Sequence, residues 1–286
     1  MNVLPFETRV RTAGALVEGN SIRSTERMLG IHRDTIMRFG VLAGEACDRF
    51  HAESVRDLSC STIQLDEAWA YVFKKQRRVT PADSPEMGDA YIYVGMDANS
   101  KLVISYTVGK RTVETTNTFV TDLRSRVLGK PQITSDGFVP YLEAIEAAFG
   151  DDCHFAMLVK TYQGDEAGTE AKHRYSPGRI RSVEQVRIVG RPDVSRISTS
   201  FIERQNLTLR MHIRRLTRLT NAFSKRLRNL KAAVALHFAH YNFCRVHETL
   251  RVTPAMAAGL TDHVWSIAEL LAVVLEIEAG PESIAS

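Results

Sequence analysis

Three acids sit where a carboxylate needs a reason. Asp66 lies inside the alternating run STIQLDEAWAYVF (61–73), where a charge is unfavourable unless it is paired or bound to a cation. Asp136 lies in TSDGF, where a short strand runs into a turn; ligands gather at such strand ends in α/β folds. Glu203 heads FIERQNLTLRMHIRRLTRL, a segment otherwise dense in Arg and Leu. Converging carboxylates raise one another's pKa unless a cation sits between them. With oxygen donors alone, and no Cys or His cluster, such a site suits Mg²⁺ or Mn²⁺. Two such ions roughly 3.5–4 Å apart activate a water or a 3′-hydroxyl for in-line attack on a phosphodiester and stabilise the leaving oxygen.

Each acid also has a purely structural role open to it. Ser200 and Glu203 match a capping box, with Ser200 as the helix cap. Asp66 could lie near an exposed strand end, and Asp136 could build an Asx-turn. Strand alternation sends Glu67 to the face opposite Asp66, so only one of the two points at a given site. Asp97, expected as a hairpin-turn residue, is the reserve candidate should Asp66 fail. Trp69 and Tyr71 on the same strand are expected in the core rather than stacked on bases.

The elements that would position these acids follow from periodicity. Residues 8–50 are helical in pattern, and a short helix (21–29), a glycine turn at Gly30-Ile31-His32 and a second helix from Arg33 form a helix-turn-helix silhouette. Its small core is expected from Ile22, Met28, Leu29, Ile31, Ile36 and Phe39. His32, Arg33, Thr35 and Arg38 would project from the start of the second helix, the part of such motifs that meets base edges. Then come a strand (61–73), a hairpin (89–109), a helix (113–128), a short strand into SDG, a helix, a strand HFAMLVKTY and the long basic helix headed by Glu203. That order predicts a mixed α/β sheet covered by helices. Residues 163–197 read as a long polar connection, functional or disordered. The closing SIAELLAVVLEIE is expected to dock on the core or on another subunit.

Charge adds a partner class. The formal charge is only +4, yet nine residues from Arg204 to Lys231 are basic and none is acidic. A second basic tract, 172–196, holds Lys172, Arg174, Arg179, Arg181, Arg187, Arg191 and Arg196 against Glu184 and Asp193. Two such tracts suggest a polyanion, most simply nucleic acid. One and two turns beyond Glu203, the residues Asn206, Arg210 and Arg214 would share its face and hold phosphates against the ions. Arg215, Arg218 and Lys225 continue the tract and complete the expected DNA-binding set. The four cysteines are far apart and suit free thiols in a reducing compartment. No apolar run reaches about 18 residues and no signal peptide is evident, so a cytoplasmic protein is expected, associated with the nucleoid when on DNA.

LDEAWAYV, TSDGF and FIERQNLTLRMHIRRLTRLTNAFSK, in that order, resemble the DDE transposases of bacterial insertion sequences, specifically the insertion-sequence-one family. The spacings of 70 and 67 residues between the acids are compatible, and the resemblance extends to HYNFCRVHETLRVTPAMAAGL. It implies an RNase H-like catalytic core, Asp66, Asp136 and Glu203 as ligands of Mg²⁺ or Mn²⁺, two ions in all, and cut-and-join chemistry on transposon ends. Expected partners are double-stranded DNA and further copies of the chain, with no membrane and no small-molecule substrate. The corresponding domains are a helix-turn-helix over 1–55, a catalytic domain over 56–260 with a basic insertion at 163–197, and a C-terminal helix over 261–286. Family members often carry a Cys-rich zinc-binding segment near the N-terminus. This chain has none, so end recognition rests on the helix-turn-helix and the basic tracts, or on a preceding piece. In the transposase-like segment, Arg245 or His247 could contact phosphate, or, with Tyr241 and Asn242, serve packing and capping. Two other readings compete: a DNA-binding protein without catalysis, and an RNase H-like or junction nuclease.

Overall fold

The computed structural model of the protein describes residues 4–162, 180–218 and 220–279. Six strands form one sheet in the order β3-β2-β1-β4-β5-β6. β1 (Thr62–Val72), β2 (Gly88–Asp97) and β3 (Val103–Gly109) make an antiparallel meander. β4 (Gln132–Ser135) and β5 (His154–Tyr162) run parallel to β1, and β6 (Ile180–Val189) closes the far edge antiparallel to β5. With its covering helices this is the mixed α/β sheet that the periodicity predicts.

β6 is a correction to the sequence reading, which left 163–197 without regular structure. Ile180, Val183, Val186, Ile188 and Val189 give it strand propensity, and the arginines between them drew attention to charge instead. Residues 163–179, including Lys172, Arg174 and Arg179, lie outside the described residues.

β1 decides where a site can form. Its side chains alternate: Ile63 and Leu65 enter the core on one face, and Ala68, Ala70 and Val72 the core on the other. The first core gathers α1 (Phe6–Val17), α3 (Arg33–Ser54), α4 (Val113–Arg126), α5 (Pro140–Phe149) and α9 (Ile267–Ala279). The second lies under α6 (Ser200–His212) and α7 (Leu227–Phe243). β1 is 11 residues long but pairs with β4 only over Thr62–Gln64. Beyond Leu65 its β4-side edge has no strand beside it among the described residues, apart from a single bridge between Val72 and Ser224.

The N-terminal helices form as expected. α2 (Ile22–Leu29) is capped by Ser21, whose hydroxyl accepts from Ser24 N–H at 3.0 Å, and Gly30 turns the chain at φ +67° before α3. Ile36 and Phe39 are buried, but Met28, expected in that small core, faces solvent. α3 runs along α7 so closely at Gly44 that an added Cβ would lie 2.1 Å from the Ala232 carbonyl oxygen. Phe50, Phe243 and Trp265 interlock with ring centroids 5.0–5.5 Å apart, tying α3, α7 and the entry to α9 together. α9 buries Leu270, Leu271 and Val274 in the first core, which meets the expectation of docking on the core. Among the described residues no helix is long and apolar enough to cross a membrane. All four cysteines are free thiols.

α6 is shorter than the sequence pattern suggests. It stops at His212; Ile213 turns extended, and a 3-10 turn follows at Arg214–Leu216. Ile213 and Leu216 enter the second core beside Leu209, a spacing of four and three residues that a continuing helix would also keep on one face.

Candidate active site

Asp66, Asp136 and Glu203 line one cavity of about 730 Å³ at the notch where β4 ends, together with Arg111, Lys160 and Thr199. Asp66 comes from the middle of β1, on the α6 side of the sheet. Its Oδ2 accepts from Asn206 Nδ2 at 2.9 Å and its Oδ1 from the Glu67 N–H at 2.8 Å. Burial raises its pKa to about 6, and the negative charges of Asp136 and Glu203 push the same way. Asp136 follows β4 directly, and its Oδ1 accepts from Phe138 N–H at 3.0 Å. The Asx-turn is therefore present, and it aims the carboxylate into the notch.

Glu203 stands on the first turn of α6. Thr199 Oγ1 donates to its Oε1 at 2.6 Å, and Lys160 Nζ on β5 binds the same oxygen. The capping box does not form. The cap residue is Thr199, and Ser200 exchanges its hydrogen bonds with Ser198 instead. Gln64 on β1 does the capping from outside, its Oε1 accepting from Phe201 and Ile202 N–H at 3.0 and 3.1 Å. The Ser200 N–H, which the Glu203 carboxylate would take in a capping box, goes to Ser198 Oγ at 3.2 Å, so that carboxylate is released from the duty.

Glu67 corrects the alternation argument. Its side chain does leave on the opposite face, where Oε2 accepts from Arg111 at 3.0 Å. Yet an oxygen of Glu67 comes within 4.8 Å of oxygens of both Asp66 and Asp136. Alternation separates faces only while a strand is flanked on both sides; where β4 is missing, a long side chain reaches round the bare edge. The Glu67 carboxylate is 2 % exposed, enclosed beside the Tyr141 hydroxyl and Arg111. Burial raises its pKa to about 7; Asp136 and Asp66 add to the rise, while the Tyr141 hydroxyl and Arg111 oppose it. Arg111 is held between Glu67 and the Phe138 ring, 3.9 Å from its centroid.

The remaining expected residues distribute as follows. His32 caps α3, its Nδ1 accepting from Asp34 N–H at 3.3 Å, and stays exposed with Arg33 and Arg38, while Thr35 is half-buried. Asn206 is buried against Asp66 rather than presented to a phosphate. Arg210 is half-buried on α6, and Arg214 falls beyond the helix end, so the expected stripe is shorter by one residue. Arg215 donates to Ser224 Oγ at 3.3 Å, while Arg218 and Lys225 are exposed. Asp97 accepts from Ser100 N–H and Oγ at 2.8 and 2.6 Å, the hairpin-turn role. Tyr241 and Asn242 bond the backbone of Lys101 and Val103, and Arg245 bonds His212.

Sequence reasoning missed Lys160, Arg111 and Gln64. A buried amide two residues before Asp66 on one strand face was a visible signal for Gln64. A lysine closing the apolar run HFAMLVK was one for Lys160. For Arg111 nothing local distinguishes it from its neighbours.

No protein-family model matches the chain, and no curated protein does. Among solved structures, a piggyBac transposase synaptic complex with hairpin DNA is matched at a TM-score of 0.40 and 10% identity, over 94% of this chain and 69% of that one. A likeness so loose carries no argument about this chain.

Proposed function

We propose that the chain is a divalent-metal-dependent DDE transposase of an insertion sequence, of the insertion-sequence-one kind, which binds the ends of its element and cuts and joins DNA strands. One observation carries the reading. Asp66, Asp136 and Glu203, 70 and 67 residues apart, line a single cavity. The strand order β3-β2-β1-β4-β5, with an antiparallel meander followed by two parallel strands, supports an RNase H-like core.

On this reading Asp66, Asp136 and Glu203 hold Mg²⁺ or Mn²⁺, two ions in all. The residues fit: the donors are all oxygens, and the charges of Asp136 and Glu203, which add to the effect of burial on Asp66, are what a cation relieves. Bound there, the ions would activate the attacking oxygen and stabilise the leaving one. Asn206 orients Asp66, and Thr199 orients Glu203. Lys160, Arg111 and Arg210 offer positive charge to the phosphate. His32, Arg33, Thr35 and Arg38 at the head of α3 read base edges, while Arg214, Arg215, Arg218 and Lys225 track the backbone. Joining two ends calls for more than one copy, so a homo-oligomer on DNA is part of the proposal, as is a cytoplasmic location on the nucleoid.

The test is end nicking and strand transfer on duplexes carrying the element's own ends, with Mg²⁺ or Mn²⁺. Asp66→Asn, Asp136→Asn and Glu203→Gln should each abolish both reactions while DNA binding persists. A Glu203→Gln protein as active as wild type would refute the ligand role. The Lys160–Glu203 ion pair favours one second reading, DNA binding without catalysis; wild-type binding with no metal-dependent cleavage selects it.

A further inference from the structure

Trp69 and Tyr71 were expected in the core, and they are not there. Both are only partly buried, and neither joins either hydrophobic core cluster; the same holds for Phe223. The three rings form a row, Trp69 to Tyr71 at 5.7 Å and Tyr71 to Phe223 at 5.0 Å between centroids. They line a cavity of about 700 Å³ whose other walls include Lys75, Arg77 and Arg218. Its one acid, Asp89, is engaged by the Gln76 N–H.

Position matters as much as composition. Trp69 and Tyr71 share a strand face with Glu67, so the row starts two residues from the carboxylate notch and leads away from it in steps of about 6.6 Å. Partly open aromatic rings lining a cavity beside cations suit unpaired bases: every base has a stacking face, and the cations meet the backbone between them. A duplex hides its base faces and gains nothing from the rings. We infer that Trp69, Tyr71 and Phe223, flanked by Lys75, Arg77 and Arg218, form a stacking platform for a short unpaired stretch of DNA beside the strand-cleaving site. The placement rests on the function proposed above, while the binding itself does not.

Trp69 is one of two tryptophans, and Trp265 is packed against Phe50 and Phe243. Tryptophan emission therefore reports the platform. The full chain, in EDTA so that no cleavage intervenes, is titrated with oligo(dT) and separately with a duplex of equal length. Oligo(dT) should quench the emission saturably, and Trp69→Leu should remove that response. Tyr71→Leu should weaken oligo(dT) binding roughly five- to a hundredfold, the range for one lost base stack. Arg77→Ala with Arg218→Ala, at exposed positions that leave the aromatic row intact, should also weaken it. Emission unmoved by oligo(dT), equal quenching by the duplex, or unchanged affinity in the double arginine variant overturns the platform. A chain that is quenched by oligo(dT) yet never cuts DNA sinks the transposase reading and leaves the platform standing.

Discussion

Asn206 donates from Nδ2 to Asp66 Oδ2 at 2.9 Å, from the same helix that carries Glu203 one turn earlier. One rigid element thus sets the distance between two acids that come from distant parts of the chain. Asn206→Ala should lower metal-dependent cleavage about 10- to 100-fold, the usual effect of losing a partner that orients a ligand. Its melting temperature should move little. Steady-state cleavage rates beside thermal melts check this, and wild-type rates would remove Asn206 from the positioning role.

Gln64 holds the N-terminus of α6 through two backbone N–H groups. Gln64→Leu leaves both unsatisfied in a buried place, so unfolding free energy should fall by about 1–3 kcal/mol. Urea denaturation reads this directly. A loss below a few tenths would mean that water or Thr199 caps the helix equally well.

Lys160 and the cations of the site compete for one carboxylate. Lys160→Met should therefore tighten Mn²⁺ binding several-fold, whereas Glu67→Gln, which removes a charge beside Asp66 and Asp136, should weaken it. Calorimetric titration distinguishes the two signs. Removal of metal by EDTA should abolish cleavage in every variant.

Three buried histidines make the fold sensitive to acid. Burial lowers His51 and His240 to about 4 and His237 to about 3, from an ordinary value of 6.5. The folded chain thus favours the neutral rings, and the unfolded chain takes up protons first as pH falls. Stability should be full above about pH 6.5 and decline towards pH 4, by up to ~1.4 kcal/mol per pH unit for each ring. His237, whose ring nitrogens find no hydrogen-bond partner among the described residues, is the cleanest probe. His237→Phe should flatten the slope of unfolding free energy against pH; an unaltered slope would count against it.

Gly44→Ala should be among the most damaging conservative changes. The new methyl meets the Ala232 backbone rather than a movable side chain, so overpacking should cost about 1–3 kcal/mol or more. Thermal melts would show it, and a neutral result would mean that α3 can slide on α7.

The strands and helices were largely legible because their apolar residues recur at the period of one element or the other. β1, the 88–109 hairpin, α4, α5 and β5 all show that. β6 was not legible, because its arginines made a strand look like a charged connection. The end of α6 was not legible either, since Leu209, Ile213 and Leu216 keep helical spacing across the point where the backbone turns extended. At the site, Asp66, Asp136 and Glu203 could be named because each is out of place locally. Glu67 could not, because what brings it in is the shortness of β4, which no residue of β1 records; for Lys160 the one signal was a lysine closing the apolar run of β5. Trp69 and Tyr71 failed for a related reason: periodicity tells which face a ring takes, not whether anything covers that face.

β4 contributes four residues to the sheet and β1 eleven. The reactive corner is consequently defined by a strand that ends early, and its address is a matter of chain length rather than of any single side chain. Inserting two extended residues after Ser135 would lengthen the pairing, seal the open flank of β1 and drive Asp136 away from Asp66, with every acid still present. Shape here is made by subtraction, so mutating side chains one at a time would never expose what creates the vacancy.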